Sequence, residues 1–189
     1  MKTTKLVSIL SAFVFLSTFT VAEAQNKIYT TKSGEAWFDA GTGAEDITGK
    51  NKSVLSAFNP ATGALQFSVL IKGFEFWSEL LQEHFNENYM ESSTFPKSTF
   101  KGNITNIDKL NVNKDGSYPV NVKGTLEIHG VKKEVATSGT MKVKGEKINA
   151  TAEFIVVLED YNIKIPGVVK DKLSKTAKIK INCNYTIQK

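Results

Sequence analysis

Val120-Asn121-Val122-Lys123-Gly124-Thr125-Leu126-Glu127-Ile128-His129-Gly130-Val131-Lys132-Lys133-Glu134-Val135 alternates apolar and polar residues on both sides of a turn dipeptide, and its reading decides the fold. Successive side chains of an extended chain point to opposite faces. Val120, Val122, Gly124, Leu126 and Ile128 therefore share one face, and Asn121, Lys123, Thr125, Glu127 and His129 share the other. A two-residue hairpin at His129-Gly130 pairs Ile128 with Val131 and Leu126 with Lys133, which moves the inward face from even to odd positions. The next stretch follows that change: Val131, Val135, Gly139, Met141 and Val143 alternate with Lys132, Glu134, Ser138, Thr140 and Lys142. A second turn at Gly145-Glu146 returns the face to even numbers, where Ile148, Ala150, Ala152, Phe154, Val156 and Leu158 fall. In that register Gly139 opposes Ala152 and Met141 opposes Ala150. Pattern and register agree at both turns, as they do in an antiparallel sheet with one apolar side.

The same alternation is expected from about Phe100 to Ile187. Ala177, Ile179, Ile181, Cys183, Tyr185 and Ile187 form the inward set of a final strand, and Phe100, Gly102 and Ile104 that of an earlier one. Upstream, Leu65, Phe67, Val69 and Ile71 alternate with polar residues after the turn Asn59-Pro60-Ala61-Thr62-Gly63. Residues 33–40 and 52–58 read as two further strands. At Trp77 the period changes. Leu80, Leu81, His84 and Phe85 fall at helical spacing behind Ser78, a candidate N-cap with Glu79 in the first turn. About eight strands with no strand–helix rhythm predict an all-β fold with one short helix. An antiparallel eight-stranded β-barrel is the favoured architecture and a sandwich the alternative.

The first residues are of another kind. Lys2 and Lys5 precede an apolar run over 6–21, and Ala22-Glu23-Ala24 supplies a small-x-small cleavage pattern. The expectation is a signal peptide over 1–24 and a single mature domain over 25–189, periplasmic or secreted. The run falls short of the ~20 apolar residues that a spanning helix needs. Such a domain is large enough to build a core without disulfides. Cys183, the only cysteine, falls on the apolar side of its strand and reads as a buried, unreactive thiol.

All 24 basic residues are lysine. Losing Lys2, Lys5 and Glu23 with the leader takes the formal net charge from +5 to +4. Nucleic-acid readers use arginine for bidentate contacts, so its absence argues against a nucleic-acid partner. The lysines sit mostly on outward strand faces, where they discourage edge pairing; a weak contact with anionic membrane surfaces is compatible with them. Catalytic motifs are missing. His84 and His129 have no metal-ligand spacing, so no metal and no cofactor is expected. Glu159-Asp160 are neighbours on opposite faces and read as solvated charge closing a strand.

The inward face carries small residues, Gly102, Gly124, Gly139, Ala150, Ala152 and Ala177, among large ones. Glycines let strands bend at barrel corners, but alanines do not, so the cluster reads as space. An eight-stranded barrel holds a ligand when its side chains do not fill it. The candidate apolar lining is Phe67, Val69, Phe85, Phe100, Val122, Leu126, Gly139, Met141, Ala152, Phe154, Val156, Ile179 and Ile181.

The runs at 84–92 (His84-Phe85-Asn86-Glu87-Asn88-Tyr89-Met90-Glu91-Ser92) and 95–102 resemble the helix-to-strand segment of YceI-like proteins. The stretch 122–135 and the strand and turn over 154–166, with Tyr161-Asn162-Ile163 in place of the family's aromatic-Gly-Ile, extend that resemblance over the mature chain. It implies a lipocalin-like barrel around the tail of a long-chain apolar lipid, such as a polyisoprenoid or an isoprenoid quinone, and it brings no catalytic residues. The pattern departs at Gln82-Glu83, where many members carry Arg-Asp, so no headgroup contact carries over there. An exported lipid carrier is thus the leading reading. A hydrolase of a lipid-like substrate and a filled barrel acting in interaction or stress response are the alternatives.

Overall fold

The computed structural model describes residues 27–188, and the expected signal peptide lies outside them. Eight strands follow in chain order, each antiparallel to the next: β1 (Tyr29–Gly41), β2 (Thr48–Phe58), β3 (Ala64–Leu70), β4 (Lys97–Ile104), β5 (Gly116–Ile128), β6 (Val131–Lys144), β7 (Lys147–Val157) and β8 (Leu173–Ile187). β8 pairs with β1, which closes the sheet into a barrel and excludes the sandwich. Ile128 opposes Val131 and Leu126 opposes Lys133, while Gly139 opposes Ala152 and Met141 opposes Ala150. His129 and Gly130 take φ of +50° and +73°, the left-handed pair that a two-residue hairpin of type I′ needs. The alternation is not continuous from 100 to 187, because residues 105–115 and 158–172 leave the sheet.

One end of the barrel is filled. Tyr29, Phe58, Leu65, Ile104, Val143, Ile148 and Tyr185 are buried together near the 59–63 and 145–146 turns. Tyr185 is enclosed completely, and its hydroxyl donates to Ser56 Oγ at 2.7 Å. Ser56 in turn donates to the Gln66 carbonyl at 2.7 Å, so burial of these polar groups is compensated.

Residues 71–96 and 158–172 gather at the opposite end. The first of these segments carries α1 (Glu79–His84), which continues into a π turn at Phe85–Tyr89. Ser78 occupies the N-cap position in an extended conformation, but its side chain makes no capping bond. Between the upper half of β2 and the cap, the buried Asn51 donates from Nδ2 to the Leu70 carbonyl at 2.9 Å and accepts from the Ser53 amide at 2.8 Å. Lys50 and Glu75 exchange both backbone hydrogen bonds beside it. The wall is therefore plugged where β2 has outrun β3.

Two of the small inward residues have a different role from the one their pattern suggested. Gly102 and Gly124 face each other across β4 and β5, and a Cβ on Gly102 would meet the Lys123 carbonyl and stand 2.8 Å from the Gly124 Cα. They allow two backbones to approach, and they enclose no spare volume.

Candidate functional site: an apolar cavity under a helical cap

Between the filled end and the cap lies a cavity of about 710 Å³, within the range of roughly 300–1,000 Å³ usual for small-molecule sites. β3, β5 and β8 each contribute one face to it: Leu65, Phe67 and Val69; Val120, Val122, Leu126 and Ile128; Leu173, Ala177, Ile179 and Ile181. All thirteen candidate residues stand on its wall: besides those just named, they include Phe85, Phe100, Gly139, Met141, Ala152, Phe154 and Val156. Gly139, Ala150, Ala152 and Ala177 also line it, whereas Gly102 and Gly124 do not. The small-residue cluster thus marks real space on one side of the barrel only.

The cap contributes what strand periodicity could not reveal. Phe85 stacks on Phe38 with centroids 5.1 Å apart, and Phe74 and Phe76 meet that pair edge-on or tilted at 5.0–5.6 Å. Such aromatic contacts add roughly 0.5–1.5 kcal/mol each beyond burial, enough to hold a helix of two turns in place. Leu80, Leu81, His84, Tyr89, Met90, Tyr161 and Ile163 complete this roof. The signal for Phe74 and Phe76 lies in Phe74-Glu75-Phe76-Trp77, which ends at the change of period at Trp77.

Four ionic groups on the wall form two pairs, and Glu134 accepts from the Thr125 hydroxyl. Lys133 Nζ lies 3.5 Å from Asp160 Oδ1, and Lys172 Nζ lies 2.9 Å from Glu45 Oε2. The hydrogen bond and charge of Glu45 raise the pKa of Lys172. Glu159 and Asp160 stand in the 3-10 turn Leu158–Tyr161 that follows β7, both exposed, so they close the strand as solvated charge although they sit on the turn and not on opposite strand faces. His129 fastens the roof to the barrel: its ring meets Phe95 edge-on at 4.5 Å, Nδ1–H donates to the Tyr161 carbonyl (3.1 Å), and Nε2 stands 2.8 Å from the Glu91 carboxylate. Asn162, where the family pattern has glycine, takes φ +58°, a left-handed conformation that asparagine tolerates better than most residues. Cys183 is fully buried, and desolvation pushes its thiol up to about 12. Among the described residues no three His, Cys, Asp or Glu side chains come together as a metal-ligating group.

The profile of the YceI-like domain matches residues 19–185. The chain belongs to the YceI-like family. No curated protein matches it. Among solved structures it is similar to a polyisoprenoid-binding domain from Saccharophagus degradans implicated in plant cell wall breakdown, with a TM-score of 0.74 and 12% identity, over 87% of this chain and all of that one. It is similar also to Burkholderia cenocepacia BcnA (TM-score 0.67, 16% identity, 81% and 96% of the two chains). A Campylobacter jejuni YceI protein follows, with a TM-score of 0.55 and 15% identity over 77% and 86%. At these identities the likeness is one of fold. It agrees with the closed barrel observed here.

Proposed function

We propose that this YceI-like protein is an exported carrier that holds a long apolar lipid, of polyisoprenoid or isoprenoid quinone type, in the cavity beneath its cap. The observation that carries this reading is a cavity of about 710 Å³ walled by Phe, Val, Ile, Leu and Ala side chains, in a barrel whose other end is packed solid. Burial of ligand methylenes at ~0.8 kcal/mol each supplies the affinity. The polyisoprenoid binding of the Saccharophagus degradans domain supports the ligand class. The carboxylates Glu45 and Asp160 on the wall are each engaged by a lysine, and Glu134 by the Thr125 hydroxyl, an arrangement suited to a non-reacting container. Export rests on the basic, apolar and small-x-small leader, and the lysine excess of the mature chain would favour delivery at an anionic membrane surface.

Titration with an isoprenoid quinone tests this reading. Trp37 stands on the outer face of β1 under Lys50 Nζ, and Trp77 is 68% exposed on the cap, so both report quinone at a distance, and saturable quenching at one equivalent, reduced in the cavity variant Ala152→Phe, is the expected result. Quenching that is linear in quinone and unchanged by Ala152→Phe would show that the cavity takes up nothing.

A further inference from the structure

The barrel has a slit in its wall. β5 and β6 pair along their whole length, from Gly116–Val143 to Ile128–Val131, and β7 and β8 pair from Ile148–Tyr185 to Val157–Thr176. Between β6 and β7 the ladder starts at Lys144–Lys147 and stops at Gly139–Ala152. Above that point residues 131–138 of β6 and 153–157 of β7 run on as strands without pairing with each other. The slit is bounded below by the Thr137 hydroxyl, which donates to the Glu153 carbonyl at 3.5 Å, a side chain standing where a ladder bond would be. It is bounded above by the Lys133–Asp160 ion pair and by the His129 bond to the Tyr161 carbonyl, which tie the turn after β7 back to the β5–β6 hairpin.

The cavity reaches this slit. A strand in a continuous wall shows the interior every second residue, as β3, β5 and β8 do here. β6 and β7 instead border the cavity with residues of both faces, along 133–137 and 154–158 beside the slit and along 139–141 and 150–152 just below it, so the open volume runs out through the wall at this seam. Ile155 and Val157, on the outer face of β7, are 66% and 43% exposed, so the slit has an apolar outer lip. The comparable gap beside β2 is closed by buried Asn51 and the Lys50–Glu75 backbone pair. Nothing comparable fills the β6–β7 gap among the described residues.

We propose that the lipid enters and leaves sideways, through the slit between β6 and β7, with the Lys133–Asp160 pair as its latch. This rests on the carrier reading and specifies how the cargo reaches the cavity. A chain threaded laterally slides its methylenes past Ile155 and Val157 into the interior, and the aromatic cap stays in place. An exposed ion pair carries about 0.2–1 kcal/mol, so the latch slows passage without blocking it.

The test uses retinol, an isoprenoid alcohol with intrinsic fluorescence, and follows its transfer from the protein to phosphatidylcholine vesicles by stopped flow. Cysteines at Ala136 and Ile155, the positions that would face each other if the ladder continued, pinch the slit shut when oxidised, and Cys183 is too buried to interfere. Transfer should slow at least tenfold on oxidation and recover with dithiothreitol. Independently of that bond, Lys133→Glu should speed transfer about two- to fivefold, and Lys133→Glu with Asp160→Lys should restore the parent rate. A cross-linked protein that releases retinol at the parent rate, or a charge swap that fails to restore it, would overturn the lateral route while leaving the carrier reading intact. A parent protein that takes up no retinol would overturn both.

Discussion

Ala152→Phe separates a hollow barrel from a packed one. Ala152 stands on the cavity wall, opposite Gly139 on β6 and Ile181 on β8, so a benzyl group there projects into the free volume. In a packed interior the same change overpacks the core and costs about 1–3 kcal/mol. Here the ring meets open space, and the stability of the ligand-free protein should stay within about 1 kcal/mol of the parent, because the ring's own burial offsets local adjustment. Binding changes far more. If the ring takes the place of four ligand methylenes at ~0.8 kcal/mol each, about 3 kcal/mol is lost, roughly two orders of magnitude in Kd. Urea unfolding followed by circular dichroism gives the first quantity and retinol titration the second. A variant that loses more than about 2 kcal/mol of stability yet binds retinol as the parent does would refute the reasoning.

Three further outcomes follow from the same geometry. Gly102→Ala should destabilise the barrel by about 1–3 kcal/mol, since its Cβ meets backbone atoms that cannot swing aside; a midpoint drop of about 2–4 °C per kcal/mol is read by thermal melting. Cys183 has a folded value of about 12, raised above the ordinary 9.0. Above pH 9 the unfolded chain therefore holds fewer protons than the folded one, and stability falls with rising pH by up to about 1.4 kcal/mol per unit between about 9 and 12. Tyr185, also pushed up by burial, steepens the fall above its ordinary 10.0; Cys183→Ala should flatten the curve between pH 9 and 10 in urea titrations, and an unchanged slope there would contradict the assignment. Protein recovered from the periplasm should have the intact mass of a chain beginning at Gln25, and a full-length chain held in the inner membrane would contradict export.

How far the sequence disclosed this molecule depended on whether the deciding forces were local. From β5 to β8, alternation and turn chemistry act over neighbouring residues, so the Ile128–Val131 and Gly139–Ala152 registers were readable before any coordinate. β1 was harder, because its pairing shifts register near Gly34 and alternation fails at such irregularities. The lining was legible for the same reason as the strands. What periodicity hid was the roof, where Phe38 on β1 meets Phe74, Phe76 and Phe85 from a segment of mixed structure. The glycines divided on a point no single strand shows: Gly139 borders the cavity, while Gly102 and Gly124 serve each other's backbones. The slit leaves a trace that strand assignment alone passes over. Lys133 and Thr137 interrupt the inward set of β6, and Phe154-Ile155-Val156-Val157-Leu158 is apolar on both faces, just where the ladder between the two strands has ended.

The central claim is that the cavity beneath the cap holds a lipid, and native mass spectrometry of freshly purified protein tests it most directly. The account predicts a species heavier than the apoprotein by the mass of one lipid, released on collisional activation and recovered by organic extraction as an isoprenoid chain. A single species at the mass of the bare polypeptide, unchanged after incubation with polyprenol or isoprenoid quinone, would contradict it.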